Sequence, residues 1–170
     1  MKSVVAGGAS TPAIQAALRA GIAYTLHEYE HDPSVTSYGD EAAAALGFDP
    51  ARIHKTLVVD VERNGRRELV VAVVPVDAQL DLKALATAVD GKRAEMASAT
   101  AAERSSGYVV GGISPLGQRK PLLTVIDEDA TLYETVHVSA GRRGLEIELA
   151  ADDLCALTNG RFAAIAKRQP

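Results

Sequence analysis

Two runs of β-branched residues, at 56–61 and 69–74, form the most regular apolar pattern along the chain. Asn64-Gly65 lies between them, and this dipeptide is typical of a type I′ turn, in which both central residues have positive φ. The pattern therefore predicts a β-hairpin. Shorter apolar runs elsewhere are also of strand length, and they predict strands at 22–29, 93–96, 108–110, 122–126, 136–138 and 145–149.

Apolar residues three or four positions apart predict helices between these strands. Thr11, Asp81 and Ser98 each stand where a helix begins, since their side-chain oxygens accept hydrogen bonds from free backbone N–H groups of the first turn. The predicted helices cover 12–20, 39–46, 82–89, the residues after Ser98, and 151–157, with a short helical turn after Asp49-Pro50. The pattern at 162–166 fits either a strand or a helix.

Helices and strands are mixed along the chain without a regular strand–helix alternation, and the sequence has no internal repeat. Several predicted strands are joined by short connections, which antiparallel neighbours allow and parallel neighbours do not. The expected fold is of the α/β class in its α+β form, with a mixed, largely antiparallel sheet. A chain of 170 residues fits one domain. We expect residues 10–170 to form that domain and residues 1–9 to be a disordered N-terminal tail.

The composition argues against several classes of protein. With 47% hydrophobic and 24% charged residues, the chain has the composition of a folded globule and not of a disordered protein. Only 4% of the residues are aromatic, which argues against an RNA-binding sheet covered with aromatic rings. The net charge of −4 argues against a general nucleic-acid coat protein, which needs many phosphate contacts.

The cysteine count and the apolar runs bear on compartment and membrane association. Cys155 is the only cysteine, so no disulfide forms within the chain, as is usual in a reducing cytoplasm. The longest apolar stretches are about strand length, below the roughly 20 residues that a membrane-spanning helix needs. The first eight residues lack the apolar core of a signal peptide. We therefore expect a cytoplasmic protein with no membrane segment.

Neither the cysteine nor the histidines form a catalytic or metal-binding motif. Cys155 follows Asp152-Asp153, and nearby carboxylates raise the pKa of a thiol instead of lowering it. A small, unreactive cysteine in a helix is therefore the favoured interpretation. The four histidines lack the spacing of metal ligands, so we expect no bound metal and no other cofactor. They are His27, His31, His54 and His137.

Three segments carry residues suited to ester or phosphate chemistry. Lys55 enters the first hairpin strand, where it is either a solvated lysine or a fixed cation for a phosphate or a developing oxyanion. Residues 111–117, Gly-Gly-Ile-Ser-Pro-Leu-Gly, form either a tight turn, which is the commoner case, or a loop whose N–H groups hold a carbonyl oxygen. The Arg142-Arg143 pair fits a charged hairpin turn or a phosphate contact equally well. The residues alone leave these alternatives open.

Nine short stretches stand in a specific order and spacing: 11–13, 29–33, 38–41 with 46–47, 55–57, 79–83, 95–97, 104–108, 111–117 and 139–149. The most specific are the glycine loop at 111–117 and Arg-Gly-Leu-Glu-Ile-Glu-Leu at 143–149. Through these stretches nearly the whole chain resembles the YbaK/EbsC family of aminoacyl-tRNA deacylases. Within that family it is most similar to the bacterial branch that resembles Cys-tRNA(Pro) deacylases.

The resemblance implies a fold, an activity and partners. The sheet would curl into a partial barrel with helices around it. The activity would be hydrolysis, without a cofactor, of the ester between a mischarged cysteine and the 3′ end of tRNA(Pro), with Cys-tRNA(Cys) as a further substrate. The partners would be that charged acceptor end and prolyl-tRNA synthetase, beside which the family acts in trans. The alternatives are a deacylase for Ala-tRNA(Pro) or another small aminoacyl-tRNA, and a non-catalytic module that binds tRNA or the synthetase.

The resemblance also implies which residues form the site. It assigns catalytic roles to Lys55, Gly111 and Gly112, and substrate-binding roles to Tyr29, Thr56, Ser114, Ser139, Gly141 and Glu146. Lys55 would orient the terminal nucleotide, and backbone N–H groups at Gly111 would meet the developing oxyanion. Glu146 stands where the family commonly has Asp. The implied mechanism needs no protein nucleophile, because the thiol of the substrate attacks its own ester carbonyl.

Overall fold

The computed structural model describes residues 10–168, so the tail expected at 1–9 lies outside the described residues. The helices of the described part are α1 (Pro12–Ala20), α2 (Tyr38–Leu46), α3 (Leu82–Ala88), α4 (Ala99–Ser106) and α5 (Ala151–Leu157). The strands are β1 (Tyr24–Glu28), β2 (His54–Arg63), β3 (Arg66–Pro75), β4 (Gln79–Leu80), β5 (Arg93–Met96), β6 (Leu123–Asp127), β7 (Thr135–Arg142), β8 (Leu145–Ala150), β9 (Arg161–Ala163) and β10 (Ala166–Lys167). Short 3-10 helices lie at Pro50–Arg52 and Glu128–Leu132. Within 10–168, no helix has the length and apolar character needed to cross a membrane.

Three helices begin at the capping residues that the sequence predicts. Thr11, Asp81 and Ser98 are the N-caps of α1, α3 and α4. Each of these side chains accepts a hydrogen bond from the backbone N–H three residues further on. The bond satisfies one of the free donors of the first helical turn, so the local sequence is sufficient to place these helix starts.

The predicted hairpin is confirmed, and it forms the centre of a five-stranded sheet with the order β5-β2-β3-β6-β9. β2 and β3 pair antiparallel along their whole length. Asn64 and Gly65 have φ values of 51° and 74°, as a type I′ turn requires. β3 pairs with β6, and β6 with β9, in parallel, so this sheet is mixed.

A second sheet, with the order β1-β8-β7, has one apolar and one polar face, because successive side chains of a strand point to opposite faces. The apolar face belongs to the hydrophobic core and includes Val136, Val138, Ala140, Leu145, Ile147 and Leu149. Opposite residues in the register share a face, so the other face carries His27, His137, Ser139, Glu146 and Glu148. Part of this polar face lines the site described below.

A third sheet pairs β4 with β10. Apart from the two parallel pairings, the strand pairings in the described part of the chain are antiparallel. The expected α+β class with mixed, largely antiparallel strands is therefore confirmed, and the strands are divided among three sheets. The curling into a partial barrel stays a prediction. The segment at 162–166, which the sequence left open, contributes to β9 and β10.

The strand predicted at 108–110 is wrong, because side chains bind its backbone groups in place of a neighbouring strand. Val110 N–H donates to Glu103 Oε2 at 2.9 Å. The Val110 carbonyl accepts from the guanidinium of Arg143. The buried Tyr108 donates its hydroxyl to the Leu116 carbonyl at 2.7 Å. The segment is therefore a loop held at fixed points, and part of it forms one wall of the site.

Candidate active site

A cavity of about 530 Å³ lies between the polar face of the β1-β8-β7 sheet and the beginnings of β2 and α2. Six of the residues predicted from the resemblance line it: Tyr29, Lys55, Thr56, Gly111, Ser139 and Glu146. Apolar side chains complete the walls, among them Leu57, Val58, Val76, Met96 and Val110. A few polar groups in a largely apolar cleft are typical of a site for a small ligand or the end of a larger one.

The other three predicted residues are not among those that line the cavity: Gly112, Ser114 and Gly141. Gly112 N–H donates to the Val109 carbonyl at 2.8 Å, so it is already bound within the loop. Ser114 is fully buried. Gly141 N–H donates to Ser139 Oγ at 3.2 Å. Their positions show no contact with the cavity, and a direct role in binding or catalysis stays a prediction for all three.

Lys55 brings a positive charge to the cavity. It is the second residue of β2, opposite Val74 of β3, and its side chain lines the cavity wall. Within residues 10–168 it makes no salt bridge. Its ammonium group is therefore available to an anionic group such as a phosphate, to which it would donate charge-assisted hydrogen bonds.

Gly111 lines the cavity with its backbone. Its φ is +90°, a value that side-chain-bearing residues rarely adopt. A Cβ at this position would lie 2.6 Å from the ring of Tyr38, so the ring covers the space that a side chain would need. Among the described residues Gly111 N–H has no backbone acceptor. The group is therefore suited to donate to a carbonyl oxygen on which negative charge develops.

Glu146 is a carboxyl group buried beneath the cavity. In the register of the sheet it lies opposite Ser139 on one side and His27 on the other, and its exposed fraction is 6%. Burial raises the pKa of Glu146 from 4.5 to about 8. Burial, and then the charge of Glu146, raise the pKa of Tyr29 to about 12. Both groups are therefore largely protonated at neutral pH and are able to donate hydrogen bonds into the cavity.

Glu146→Gln is expected to stabilise the protein by an amount that grows between pH 5 and pH 8. The pKa of Glu146 is higher in the folded chain, so the unfolded chain releases this proton first, and the wild type loses free energy of unfolding as pH rises. The wild type loses on the order of a few kcal/mol of free energy of unfolding in this way. The glutamine variant has no such loss, because its side chain does not titrate. Urea unfolding at both pH values measures the difference. The control is Glu134→Gln, because Glu134 is exposed. If the difference in free energy of unfolding between Glu146→Gln and the wild type stays constant with pH, Glu146 is not a buried neutral carboxyl.

His27, His137 and Glu148 form a cluster next to the cavity, and they come from three different strands; His137 is buried, and the other two are half-buried. Their potential ligand atoms lie within 4.8 Å of one another. His27 Nε2 is 2.8 Å from Glu148 Oε1, while Thr135 and Arg52 donate to Glu148 Oε2 at 2.6 Å and 3.4 Å. Both carboxylate oxygens are thus already bound, and a cation stands beside one of them. These contacts account for His27 and Glu148, whereas both ring nitrogens of the buried His137 have no hydrogen-bond partner among the described residues.

Tyr38 lines the cavity and Arg143 contacts its ring, although the sequence gave Tyr38 no role and offered Arg143 only for a hairpin turn or a phosphate contact. Tyr38 opens α2 and lines the cavity. The guanidinium of Arg143 lies 5.0 Å from the centroid of the Tyr38 ring, within the range of a cation–π contact. Cys155 does not line the cavity; burial and the charge of Asp152 raise the pKa of its thiol. The thiol is therefore poorly suited to act as a nucleophile.

The profile of the family described as the aminoacyl-tRNA editing domain matches residues 32–157. Since this match covers most of the chain, the protein belongs to that family.

Two individual proteins are similar in sequence to this chain, and both are named as tRNA deacylases. EbsC of Enterococcus faecalis (strain ATCC 700802 / V583), named provisionally as a Cys-tRNA(Pro)/Cys-tRNA(Cys) deacylase, is 42% identical over 143 residues, or 84% of this chain and 85% of the relative. The multifunctional Ser/Thr-tRNA deacylase ProXp-y of Escherichia coli (strain K12) is 37% identical over 73 residues, or 43% of this chain and 44% of the relative. The family and the enzyme class predicted from the sequence, an aminoacyl-tRNA deacylase, are confirmed by these matches.

Solved structures agree with the fold. A protein provisionally described as a trans-editing enzyme for prolyl-tRNA synthetase superposes with a TM-score of 0.76 at 26% identity. The alignment covers 94% of this chain and 99% of that one. The likeness therefore extends over nearly the whole of both proteins.

Proposed function

We propose that this protein hydrolyses Cys-tRNA(Pro), and also Cys-tRNA(Cys), as a trans-acting editing enzyme. The name of the Enterococcus faecalis relative gives these two substrates, and the solved structure described above supports an action beside prolyl-tRNA synthetase. The observation that carries the proposal is the meeting of Lys55, Gly111 and Glu146 at one cavity. A cation, a free backbone donor and a neutral carboxyl are together suited to an ester that is attached to a nucleotide.

Each of these groups has a role in the proposed complex. Lys55 binds a phosphate near the 3′ end of the tRNA, since its charge is not paired with a carboxylate in the described part of the chain. Gly111 N–H donates to the ester carbonyl oxygen and becomes more strongly bound as that oxygen gains charge. Tyr29, Ser139 and Glu146 surround the aminoacyl group from the side of the sheet. The arrangement fixes both ends of the scissile bond.

The bond-breaking step uses the thiol of the substrate. The thiolate attacks the ester carbonyl carbon, a C–S bond forms, and the electron pair of the carbonyl moves onto its oxygen. When this intermediate collapses, the C–O bond to the ribose breaks, and the proton released by the thiol ends on the ribose oxygen. The products are free tRNA and a small thiolactone, which water then opens to cysteine. The protein contributes orientation and oxyanion stabilisation.

The cavity lining that residues 10–168 form offers no hydroxyl–histidine pair that would replace the substrate thiol. His54 lines the cavity, but its Nδ1 is 3.2 Å from the Arg52 carbonyl, and no hydroxyl bonds to its ring among the described residues. Ser139 Oγ accepts from Gly141 N–H. Serine nucleophiles in enzymes are activated by an adjacent base. The arrangement of side chains therefore favours substrate-assisted cleavage.

Ser-tRNA or Thr-tRNA hydrolysis is the second candidate. The Escherichia coli relative carries that activity in its name. In addition, His54 and Thr56 line the cavity, and each has a buried polar atom, Nε2 and Oγ1 respectively, without a hydrogen-bond partner among the described residues. A substrate hydroxyl is a suitable partner for such atoms. Ala-tRNA(Pro) hydrolysis and a non-catalytic tRNA-binding module remain the further alternatives to be tested.

Turnover of purified aminoacyl-tRNAs tests these proposals together. The protein is incubated with tRNA(Pro) charged with cysteine, alanine or serine, and with Cys-tRNA(Cys) and Thr-tRNA, and the loss of each ester is followed with time. Hydrolysis of the two cysteinyl substrates above the uncatalysed rate supports the proposal. Preference for seryl or threonyl esters supports the second candidate, and no turnover of any substrate supports a binding module.

Association with prolyl-tRNA synthetase is part of the proposal. The net charge of −4 gives this protein little general attraction for tRNA. A partner that already holds the tRNA raises the effective concentration of the acceptor end at the cavity. Sedimentation of this protein with the synthetase, with and without tRNA(Pro), measures the association.

Lys55→Ala is expected to lower kcat/KM for Cys-tRNA(Pro) at least tenfold, which corresponds to about 1.4 kcal/mol. The loss comes from the phosphate contact, because Lys55 makes no salt bridge within 10–168 that its removal would break. Thermal unfolding should change little. Lys83→Ala, on α3, is a control outside the cavity lining. A folded Lys55→Ala variant with wild-type turnover removes Lys55 from the site.

A further inference from the structure

Arg143 makes its main contacts with the backbone of the 110–112 loop. It lies in the turn between β7 and β8, and its Nε and Nη2 donate to the Val110 carbonyl at 2.9 Å and 2.7 Å. No carboxylate forms a salt bridge with it among residues 10–168. Arg142, the neighbouring arginine, instead pairs with Glu28 at 3.0 Å. The two adjacent arginines therefore have different partners.

The oxygen that Arg143 binds belongs to the same peptide group as the N–H of Gly111. A peptide bond is planar, so fixing the direction of the Val110 carbonyl also fixes the direction of the Gly111 N–H, which points to the opposite side. Two donors on the oxygen also polarise the amide, and hydrogen bonds strengthen one another in this way. Arg143 thus acts on the donor that the proposed mechanism uses.

Two further contacts hold the backbone on either side of this peptide group in place. Val110 N–H donates to Glu103 Oε2 at 2.9 Å, which anchors the residue from α4. The Tyr38 ring lies against Gly111, and its centroid is 5.0 Å from the Arg143 guanidinium. The loop therefore has little freedom to rotate its peptide plane.

The close approach of the two loops depends on Gly112. A Cβ at this position would lie 2.8 Å from the Arg142 Cα, closer than ordinary van der Waals contact. The absence of a side chain at Gly112 lets the backbone of the β7–β8 turn come near enough for Arg143 to reach the Val110 carbonyl.

We propose that Arg143 is a positioning residue that aims and polarises the Gly111 N–H toward the ester carbonyl oxygen. This inference rests on the proposed deacylase function, and it assigns to Arg143 an action through the loop backbone instead of a contact with tRNA. If Arg143 acted only through a tRNA phosphate, substitution would raise KM and leave kcat unchanged. The two actions therefore differ in what a substitution changes.

Arg143→Ala and Arg143→Lys test the proposal in the full chain. We expect kcat for Cys-tRNA(Pro), measured in single turnover, to fall about 10- to 100-fold in Arg143→Ala, since losing an oxyanion donor outright costs about 10²–10³-fold. Arg143→Lys should recover part of the loss, because an ammonium group supplies one donor without the planar fork or the ring contact. KM should change less than kcat. The matched control is Arg63→Ala, because Arg63 also donates to a backbone carbonyl, that of Val89, outside the cavity lining.

NMR chemical shifts report on the conformation of the 110–112 loop in the absence of substrate. In protein labelled with ¹³C and ¹⁵N, the Val110 carbonyl and Gly111 amide signals should shift in the Arg143 variants and stay unchanged in Arg63→Ala. Shifted signals with an unchanged kcat overturn the inference and also argue against Gly111 as the oxyanion donor. Unshifted signals, or a raised KM with a weaker salt dependence and an unchanged kcat, overturn the inference in favour of a phosphate contact. Absence of turnover in the wild type, with the signals shifted in the variants, rejects the deacylase function and retains only the contact with the loop.

Discussion

Gly111→Ala is expected to reduce deacylation of Cys-tRNA(Pro) by about two to three orders of magnitude, the usual cost of losing one oxyanion donor. Two effects of the added methyl group combine. The residue has φ +90°, which an alanine adopts only with strain, and its Cβ would stand 2.6 Å from the Tyr38 ring. The peptide must therefore rotate or the ring must move, and either change turns the N–H away from the carbonyl oxygen. Single-turnover rates at saturating enzyme measure the loss.

Gly65→Ala is the matched control for this experiment. Gly65 also has a positive φ, +74°, but nothing lies within 4 Å of the position its Cβ would take, at the tip of the hairpin. Backbone strain is thus present in both variants, whereas the clash occurs only at Gly111. We expect Gly65→Ala to lower the melting temperature slightly and to keep full activity. A Gly111→Ala protein that melts like Gly65→Ala and still turns over at the wild-type rate excludes the Gly111 N–H from catalysis.

The parts of the fold that the sequence predicts are those determined by neighbouring residues. The hairpin follows from Asn64-Gly65 and its flanking β-branched runs, and the helix starts follow from side chains that bond three residues along the chain. The alternation at 145–149 places Glu146 and Glu148 on one face of β8. The strand prediction at 108–110 is wrong because Glu103 and Arg143 bind the backbone of this segment. Arg143 lies 33 residues away from Val110, so a local pattern does not reveal this contact.

The residues of the site also differ in whether nearby sequence or distant contacts determine their positions. The family resemblance assigned Tyr29, Lys55 and Ser139 to the site, because each stands in a stretch that the family shares. All three line the cavity. It gave no means of telling which glycines face the substrate and which allow loops to pack. Gly111 lies on the cavity and Gly112 against Arg142, although the two are adjacent in the chain. That distinction depends on contacts between distant segments, which a single sequence does not display.

Cys-tRNA(Pro) is expected to be cleaved at least about a hundredfold faster than Ser-tRNA(Pro), although the two side chains differ by one atom. Differences in binding discriminate only weakly between such similar side chains, by roughly 1–3 kcal/mol for a methylene-sized change. Reactivity separates them further. A thiol with a pKa near 8.5 is a few per cent thiolate at neutral pH, whereas a serine hydroxyl stays protonated without a dedicated base.

Among the described residues, the cavity lining supplies only a weak base for that hydroxyl at neutral pH. Glu146 is largely protonated there, because burial raises its pKa to about 8. Burial lowers the pKa of His54, which makes its imidazole a weaker base, and its Nε2 is buried. Ala-tRNA(Pro) is the matched control, since its side chain has no nucleophile, and it should be hydrolysed as slowly as Ser-tRNA(Pro). Single-turnover rates for the three esters, measured with the same tRNA, decide the mechanism. Equal rates for the cysteinyl and seryl esters reject attack by the substrate thiol, and they assign the reaction to an activated water, with Glu146 the first residue to replace.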